Sequence, residues 1–425
     1  MKTITVATLF NLLASAASAL TVFTGYYYLR DKGGDACLHY AELVSVLAFA
    51  AALDGGTGTC FAALHICRGN RRGSDQGLVV PTMAAFGGTL LWVLPLVVVY
   101  WMLAAEAPQA LPVMCIGTWL IVSFNAVGGI ARAGKWATQY YAVKTVNAVL
   151  GMAFVVMYRH NRSISALGVF SATIIGQCVG MPVLWAIGDF RRGLRGVGGR
   201  FSRKIGHVVS LLRRAAPIGV FQAAFALAWA ADPFIGRWFT DAGRAASTPL
   251  LQRLLQPAMI FGSVVAANAI PDWTKHRRHV RPRKPPPIWH VALGIVGYVV
   301  IVALLANRVL WPLVGLKFRV SAVLTLCLAG WALADVTLSF AMAKSAARRR
   351  FRGFWMTGVW LACAYLPVKV CALLLLGFPG LYAGTAILLC GASVCLILFE
   401  VRRLRDLRVE ADCLKEEVIS TGALR

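Results

Sequence analysis

Acidic side chains are scarce in this chain. Its 425 residues hold 17 Asp and Glu against 43 Lys and Arg, and all charged residues together make up only 14%. A soluble protein carries about 25%, so a water-exposed surface of ordinary extent is excluded. Organised cysteine is also lacking. The eleven cysteines are scattered, mostly within apolar stretches, with no C-x-x-C pair and no Cys/His cluster at metal-ligand spacing. No disulfide framework and no metal site are expected, and the thiols read as small buried apolar groups. A nucleotide loop is missing too. Gly129 to Trp136 nearly spells a Walker A sequence, but Trp136 stands where a Ser or Thr hydroxyl must hold Mg²⁺. The glycine-rich run Asp54 to Thr59 has no strand–helix unit around it. ATP-driven chemistry within the chain is therefore not expected, and neither is a cofactor.

Apolar sequence is what the chain does have. It is 59% hydrophobic, gathered into about twelve long stretches. A hydrocarbon core about 30 Å thick needs roughly 20 apolar residues to cross as a helix. The stretches lie at about 5–28, 38–65, 79–104, 110–131, 139–158, 165–188, 215–236, 248–270, 289–312, 320–343, 354–376 and 379–400. The first begins like a secretory signal, with Lys2 and an Ala-Ser-Ala motif, but its apolar run continues to Tyr28. That is too long for a signal segment, so an uncleaved first membrane helix is expected. The fold class that follows is all-α, a polytopic membrane protein.

Basic residues fall in alternate loops. One set carries Arg68, Arg71 and Arg72, then Arg132 and Lys135, the run Arg191 to Arg214, Lys275 to Lys284, Lys344 with Arg348 to Arg352, and Arg402 to Arg408. The other set has only a few, such as Arg30, Lys32, Arg159, Arg237 and Arg308. The positive-inside rule then puts both termini in the cytoplasm. The net charge of +26 would suggest a nucleic-acid partner in a soluble protein. Here basic loops beside an anionic inner leaflet explain it, so membrane lipids are the expected contact and nucleic acid is not. The Gly- and Arg-rich connection after the sixth stretch divides the chain into a six-helix bundle (1–190), a basic cytoplasmic linker (191–214), a second six-helix bundle (215–400) and a cytoplasmic tail (401–425).

An ionisable side chain within the bilayer costs several kcal/mol unless it faces water or a partner. Such residues are candidates for function. They are Asp54 and Lys144 in the first half, and Asp232, Arg253, Asp335 and Lys369 in the second. Lys144 and Asn147 are three apart and share a helix face. Gln252, Arg253 and Gln256 cluster in the eighth stretch. A central cavity lined by Lys144, Asn147, Gln252, Arg253 and Lys369 would suit an anionic cargo, since Arg grips phosphate or carboxylate bidentately and Lys supplies a point charge. Asp54, Asp232 and Asp335 are the ion-coupling candidates.

These residues carry a resemblance to bacterial polysaccharide flippases of the O-antigen and exopolysaccharide type, within the multidrug, oligosaccharidyl-lipid and polysaccharide exporter superfamily. The second stretch has Asp54-Gly-Gly-Thr-Gly followed by the turn Arg68 to Arg72. The seventh and eighth carry Pro217, then Ala231-Asp232-Pro-Phe-Ile-Gly-Arg237, Leu251-Gln252-Arg253-Leu254 and Pro271-Asp272-Trp273. The segment Ala245 to Pro249 lacks the Tyr that the family usually places before the Arg. The resemblance implies a non-enzymatic flippase in a bacterial inner membrane. It would move undecaprenyl-pyrophosphate-linked oligosaccharide outward by alternating access, with polysaccharide polymerase machinery as a partner. The alternative within the superfamily is a small-molecule or multidrug antiporter. A membrane-embedded polymerase or ligase is disfavoured by outer loops too short for an active site.

Overall fold

The computed structural model describes residues 2–52, 60, 79–105, 107–133, 136–159, 164–179, 201–275, 288–316, 318–347, 351–399 and 401. Asp54 and its glycine-rich run, the Arg68–Arg72 turn, residues 180–200, the proline-rich basic loop after Lys275 and the tail lie outside the described residues. Every regular element among the described residues is helical. Lipid offers no hydrogen bonds to a backbone, and a helix satisfies its own.

The first half contains α1 (Lys2–Leu29), α2 (Gly34–Ala52), α3 (Val79–Leu103), α4 (Leu111–Ala133), α5 (Ala137–Tyr158) and α6 (Ala166–Cys178). The second contains α7 (Phe201–Ala230), α8 (Asp232–Phe239), α9 (Ala242–Lys275), α10 (Ile288–Leu305), α11 (Trp311–Val314), α12 (Ala322–Ala347) and α13 (Phe351–Leu376). A last helix, α14, spans Gly380–Phe399. Nine helical segments among the described residues are long and apolar enough to cross a membrane. The short helix α8 extends the α7 segment and α11 extends α10. Helices α2, α6 and α9 occupy the other three expected stretches. Leu91, Leu326 and Leu375 are 65%, 72% and 82% exposed. In water such a surface would drive aggregation; against acyl chains it is the ordinary outer face.

Among the described residues the expected boundaries hold to within a few residues except at α7 and α9; the expected ends of the second and sixth stretches lie outside the described residues. Helix α7 begins at Phe201, inside the stretch read as linker, and α9 runs 34 residues from Ala242 to Lys275. Arg and Lys are good helix formers, so Arg203, Lys204, Arg213 and Arg214 end an apolar run without ending a helix.

Within the first half α1 packs along α5, α5 against α6, and α3 against α4. Within the second, α7 packs along α13 and α9 along α12. The halves meet through α2 and α1 against α9, and through α7 against α2 and α3. Two side-chain contacts join them at the end where the basic-loop asymmetry places the outer leaflet. Tyr26 Oη donates to the Ala246 carbonyl at 2.7 Å. Within the first half the Tyr26 ring meets Tyr40 of α2 edge-on, with centroids 5.3 Å apart. Tyr40 fits because Gly25 has no side chain, and a Cβ there would lie 2.4 Å from its hydroxyl oxygen. Arg237 Nη1 donates to Glu42 Oε1 at 3.2 Å, from α8 to α2. His39 Nδ1 stands 3.9 Å from the other Glu42 oxygen.

The Glu42–Arg237 pair joins a carboxylate that is 2% exposed to a guanidinium that is 61% exposed. Solvent screening on the arginine side limits its strength. A double-mutant cycle with Glu42→Gln and Arg237→Gln, read by thermal unfolding in detergent, is expected to give a coupling of about 1 kcal/mol. Additive single effects would mean that the pair does not hold the two halves together.

Candidate functional site

Four helices from both halves enclose a cavity of about 300 Å³. Helical spacing explains its walls. Trp331, Asp335 and Ser339 stand at i, i+4 and i+8 on α12; Gln252, Arg253, Gln256 and Met259 share a face of α9; Phe225 and Trp229 are one turn apart on α7; and Val44, Ser45 and Ala48 come from α2. The wall is largely aromatic and aliphatic, interrupted by one guanidinium and one carboxylate. Arg253 Nη1 donates to Gln256 Oε1 at 3.1 Å. Asp335 is 8% exposed, and among the described residues it makes no hydrogen bond or ion pair.

Gln252 owes its position to a proline. Pro233 has no N–H to donate to the carbonyl four residues back, at Trp229. Helix α7 stops there, α8 restarts with Asp232 in its first turn, and Gln252 Nε2 donates to the released Trp229 carbonyl at 2.7 Å. The motif Ala231-Asp232-Pro233 therefore fixes both the aspartate and the cavity wall beside it.

Lys369 does not line this cavity. Its side chain and that of Asp232 are both 0% exposed, with Nζ 2.5 Å from Oδ1. Nζ also donates to the Leu381 carbonyl at 2.7 Å and to the Thr385 hydroxyl. Thr385 in turn donates to Leu381 O at 2.9 Å. The hairpin between α13 and α14 makes this arrangement. Gly377 adopts φ +63, and a Cβ at Gly380 would sit 2.0 Å from the Ala372 carbonyl oxygen. With no side chains there, α14 lies close enough to present Leu381 and Thr385 to the lysine.

Of the five residues expected around a central cavity, Gln252 and Arg253 line the one described here. Lys144 lies between α5 and α1, donating to Asn11 Oδ1 at 3.4 Å and 6.0 Å from the Tyr141 ring centroid. Asn147, one turn on, is buried, and its Oδ1 has no hydrogen-bond partner among the described residues. Burial cost identified the cations, but a cation in a bundle has a second way to offset that cost, an internal partner, and Lys369 takes it. Of the ion-coupling candidates, Asp335 faces the cavity, Asp232 is paired with Lys369, and Asp54 lies outside the described residues.

Sequence reasoning passed over Glu42, Arg237, Ser45, Thr385 and the tryptophans of the cavity. Glu42 could have been found, since an acid inside an expected span is as costly as a lysine. The tryptophans gave no signal distinct from packing.

Removing one partner of a buried ion pair strands the other. Lys369→Ala is expected to lower stability by about 3–5 kcal/mol. The uncharged pair Lys369→Met with Asp232→Asn should recover most of that loss, as seen by thermal unfolding in the same detergent. A double variant no more stable than Lys369→Ala would show that the charge on Asp232 is not the source of the loss.

No protein-family model matches the chain, and no curated protein does. Solved structures match over nearly the whole length. A mutant of the Vibrio cholerae MATE transporter VcmN superposes with TM-score 0.63 at 16% identity, covering 95% of this chain and 97% of that one. The eukaryotic MATE transporter AtDTX14 gives TM-score 0.66 at 12% identity, covering 94% and 95%. An outward-facing multidrug resistance MATE family transporter of the MOP superfamily gives 0.60 at 15%, covering 95% and 96%. Identities this low carry the architecture and not the cargo, so the polysaccharide branch suggested by the sequence is not separated from the others. The chain has the fold of these MATE transporters.

Proposed function

We propose that the chain is an exporter that works by alternating access and binds a compact amphipathic cargo in the cavity between its halves. The observation that carries this reading is the cavity wall. Trp229, Trp331, Phe225 and Met259 offer apolar and aromatic surface, and Asp335 supplies one unpartnered carboxylate among them. Ligand sites of roughly 300–1,000 Å³ with a few polar groups in an apolar wall take small organic molecules. Aromatic faces beside a carboxylate favour a cationic group. Asp335 is then the group that exchanges between a coupling ion and the cargo. The described contacts at the outer end, Tyr26 to Ala246 and Glu42 to Arg237, must part for release to that side.

A second reading, flipping of lipid-linked oligosaccharide, is favoured by Arg253. Among the described residues its guanidinium has no carboxylate partner, and it faces the same cavity. A planar fork of donors suits pyrophosphate. This reading also keeps the resemblance of the Asp232-to-Arg237 and Leu251-to-Leu254 segments to polysaccharide flippases.

Proteoliposomes holding the purified chain separate the two. Under the first reading, a lipophilic cationic dye is extruded under an imposed ion gradient. Asp335→Asn is expected to slow extrusion by at least about tenfold, the loss of roughly one charge-assisted contact, while Arg253→Ala changes it less. Transfer of lipid-linked oligosaccharide to the outer leaflet, lost in Arg253→Ala and indifferent to Asp335→Asn, would replace the first reading with the second.

A further inference from the structure

The oxygens around Lys369 form a closed set. Nζ contacts Asp232 Oδ1, the Leu381 carbonyl and the Thr385 hydroxyl. An ammonium has three protons, so each has one acceptor. The remaining Asp232 oxygen, Oδ2, is buried and has no hydrogen bond of ordinary geometry among the described residues, with the Gln252 amide beside the carboxylate. Four oxygens are thus gathered at one point, from a carboxylate, a backbone carbonyl and a hydroxyl. This is the donor set that hard cations take from proteins. Only one of the donors carries charge, which suits a single positive charge.

We propose that Lys369 is a built-in counter-cation: its ammonium fills an oxygen cage for a monovalent cation and withdraws Asp232 from ion exchange. A dissociable ion would leave a bare carboxylate in a site without solvent each time it departed. A charge tethered to α13 stays. Tyr365 and Tyr382 are buried near Asp232. They are uncharged phenols and cannot replace the lysine as counter-ion. Gln252 closes the side toward the cavity through Trp229. The second half therefore keeps its charge balance in every state of the cycle without taking up an ion at Asp232. The inference concerns the bundle behind the cavity wall and is the same whichever cargo the cavity takes.

The test is a cation dependence of thermal unfolding for the full purified chain in detergent, in sodium, lithium, potassium or choline chloride at constant ionic strength. The wild type is expected to melt at the same temperature in sodium as in choline. Lys369→Ala, which empties the cage and leaves room for an ion with a water, is expected to melt several degrees higher in sodium or lithium than in choline. That shift should saturate with concentration, as mass action requires of a bound ion. Lys369→Ala with Asp232→Asn should show no such shift. Three results would overturn the proposal. One is a Lys369→Ala protein that folds but is indifferent to all three small cations. Another is a Lys369→Ala protein that no salt recovers although the double variant is recovered. The third is a saturable sodium shift in the wild type that Asp232→Asn abolishes, since an ion would then be displacing the lysine.

Discussion

A charge removed from water must meet an opposite charge or a wet surface, and the second half of this molecule is arranged around that requirement. Lys369 and Asp232 are both fully buried, 137 residues apart in sequence, and joined directly. The surrounding geometry serves the pair. Pro233 breaks α7 from α8 and leaves Asp232 in the first turn of a new helix, where the helix dipole favours a carboxylate. Gly377 and Gly380 turn α13 into α14 tightly enough for the Leu381 carbonyl and the Thr385 hydroxyl to complete the lysine's contacts. Helices α7, α8, α13 and α14 are thereby fastened at one point, and α9 is fastened to them by Gln252 through Trp229.

The same electrostatic rule gives the cavity its character. Arg253 and Asp335 are kept inside the protein without a buried ion pair between them, so each remains available to something entering. That separates the ionisable residues into two kinds. Lys369 and Asp232 satisfy each other and stabilise one arrangement of the bundle. Arg253 and Asp335 face a space lined by Trp229 and Trp331, and their energies depend on what fills it. Only the second kind can respond to cargo, because a group with equal contacts in both states shifts no equilibrium. The Glu42–Arg237 contact is intermediate: it bridges the two halves, with a largely exposed arginine and a buried carboxylate that keeps His39 beside it.

Much of the fold was legible in the sequence, because span length is a bilayer constraint that acts on each stretch separately. Twelve apolar runs and an alternating charge pattern require no knowledge of the tertiary structure. The boundaries of α7 and α9 were not legible, since hydropathy stops at an arginine and helix formation does not. The site was legible only as a set of costly residues. Burial cost picks out Lys369 and Arg253 alike, but whether a lysine meets an aspartate or a cavity depends on which helices are neighbours. For Lys369 the decisive partner, Asp232 on α8, lies 137 residues away in the chain, while α14 adds Leu381 and Thr385 from just across the hairpin. Two local signals existed. The Asp232-Pro233 step announced a helix break with an acid in the new first turn, and Glu42 was an uncounted acid inside a span.

In the alternating-access reading proposed above, the placement of these groups bears on how one cavity would serve two orientations. Two side-chain contacts between the halves lie at one end: Tyr26 on Ala246 and Glu42 on Arg237. Asp335 and Arg253 lie on α12 and α9 of the second half, and Ser45 faces them from α2 of the first. A cargo held by Asp335 and packed against α2 therefore touches both halves at once. Its binding energy can be spent on moving one relative to the other, provided each half moves as a unit. The Lys369–Asp232 pair supplies that rigidity for the second half. Tilting α13 away from α8 would separate two buried charges, so the tilt falls instead on the interface between the halves. The side-chain contacts named above that cross it are a hydrogen bond from Tyr26 of α1 to the α9 backbone and an ion pair from Arg237 of α8 to Glu42 of α2, whose arginine is solvent-screened and whose carboxylate keeps His39 beside it on the same helix.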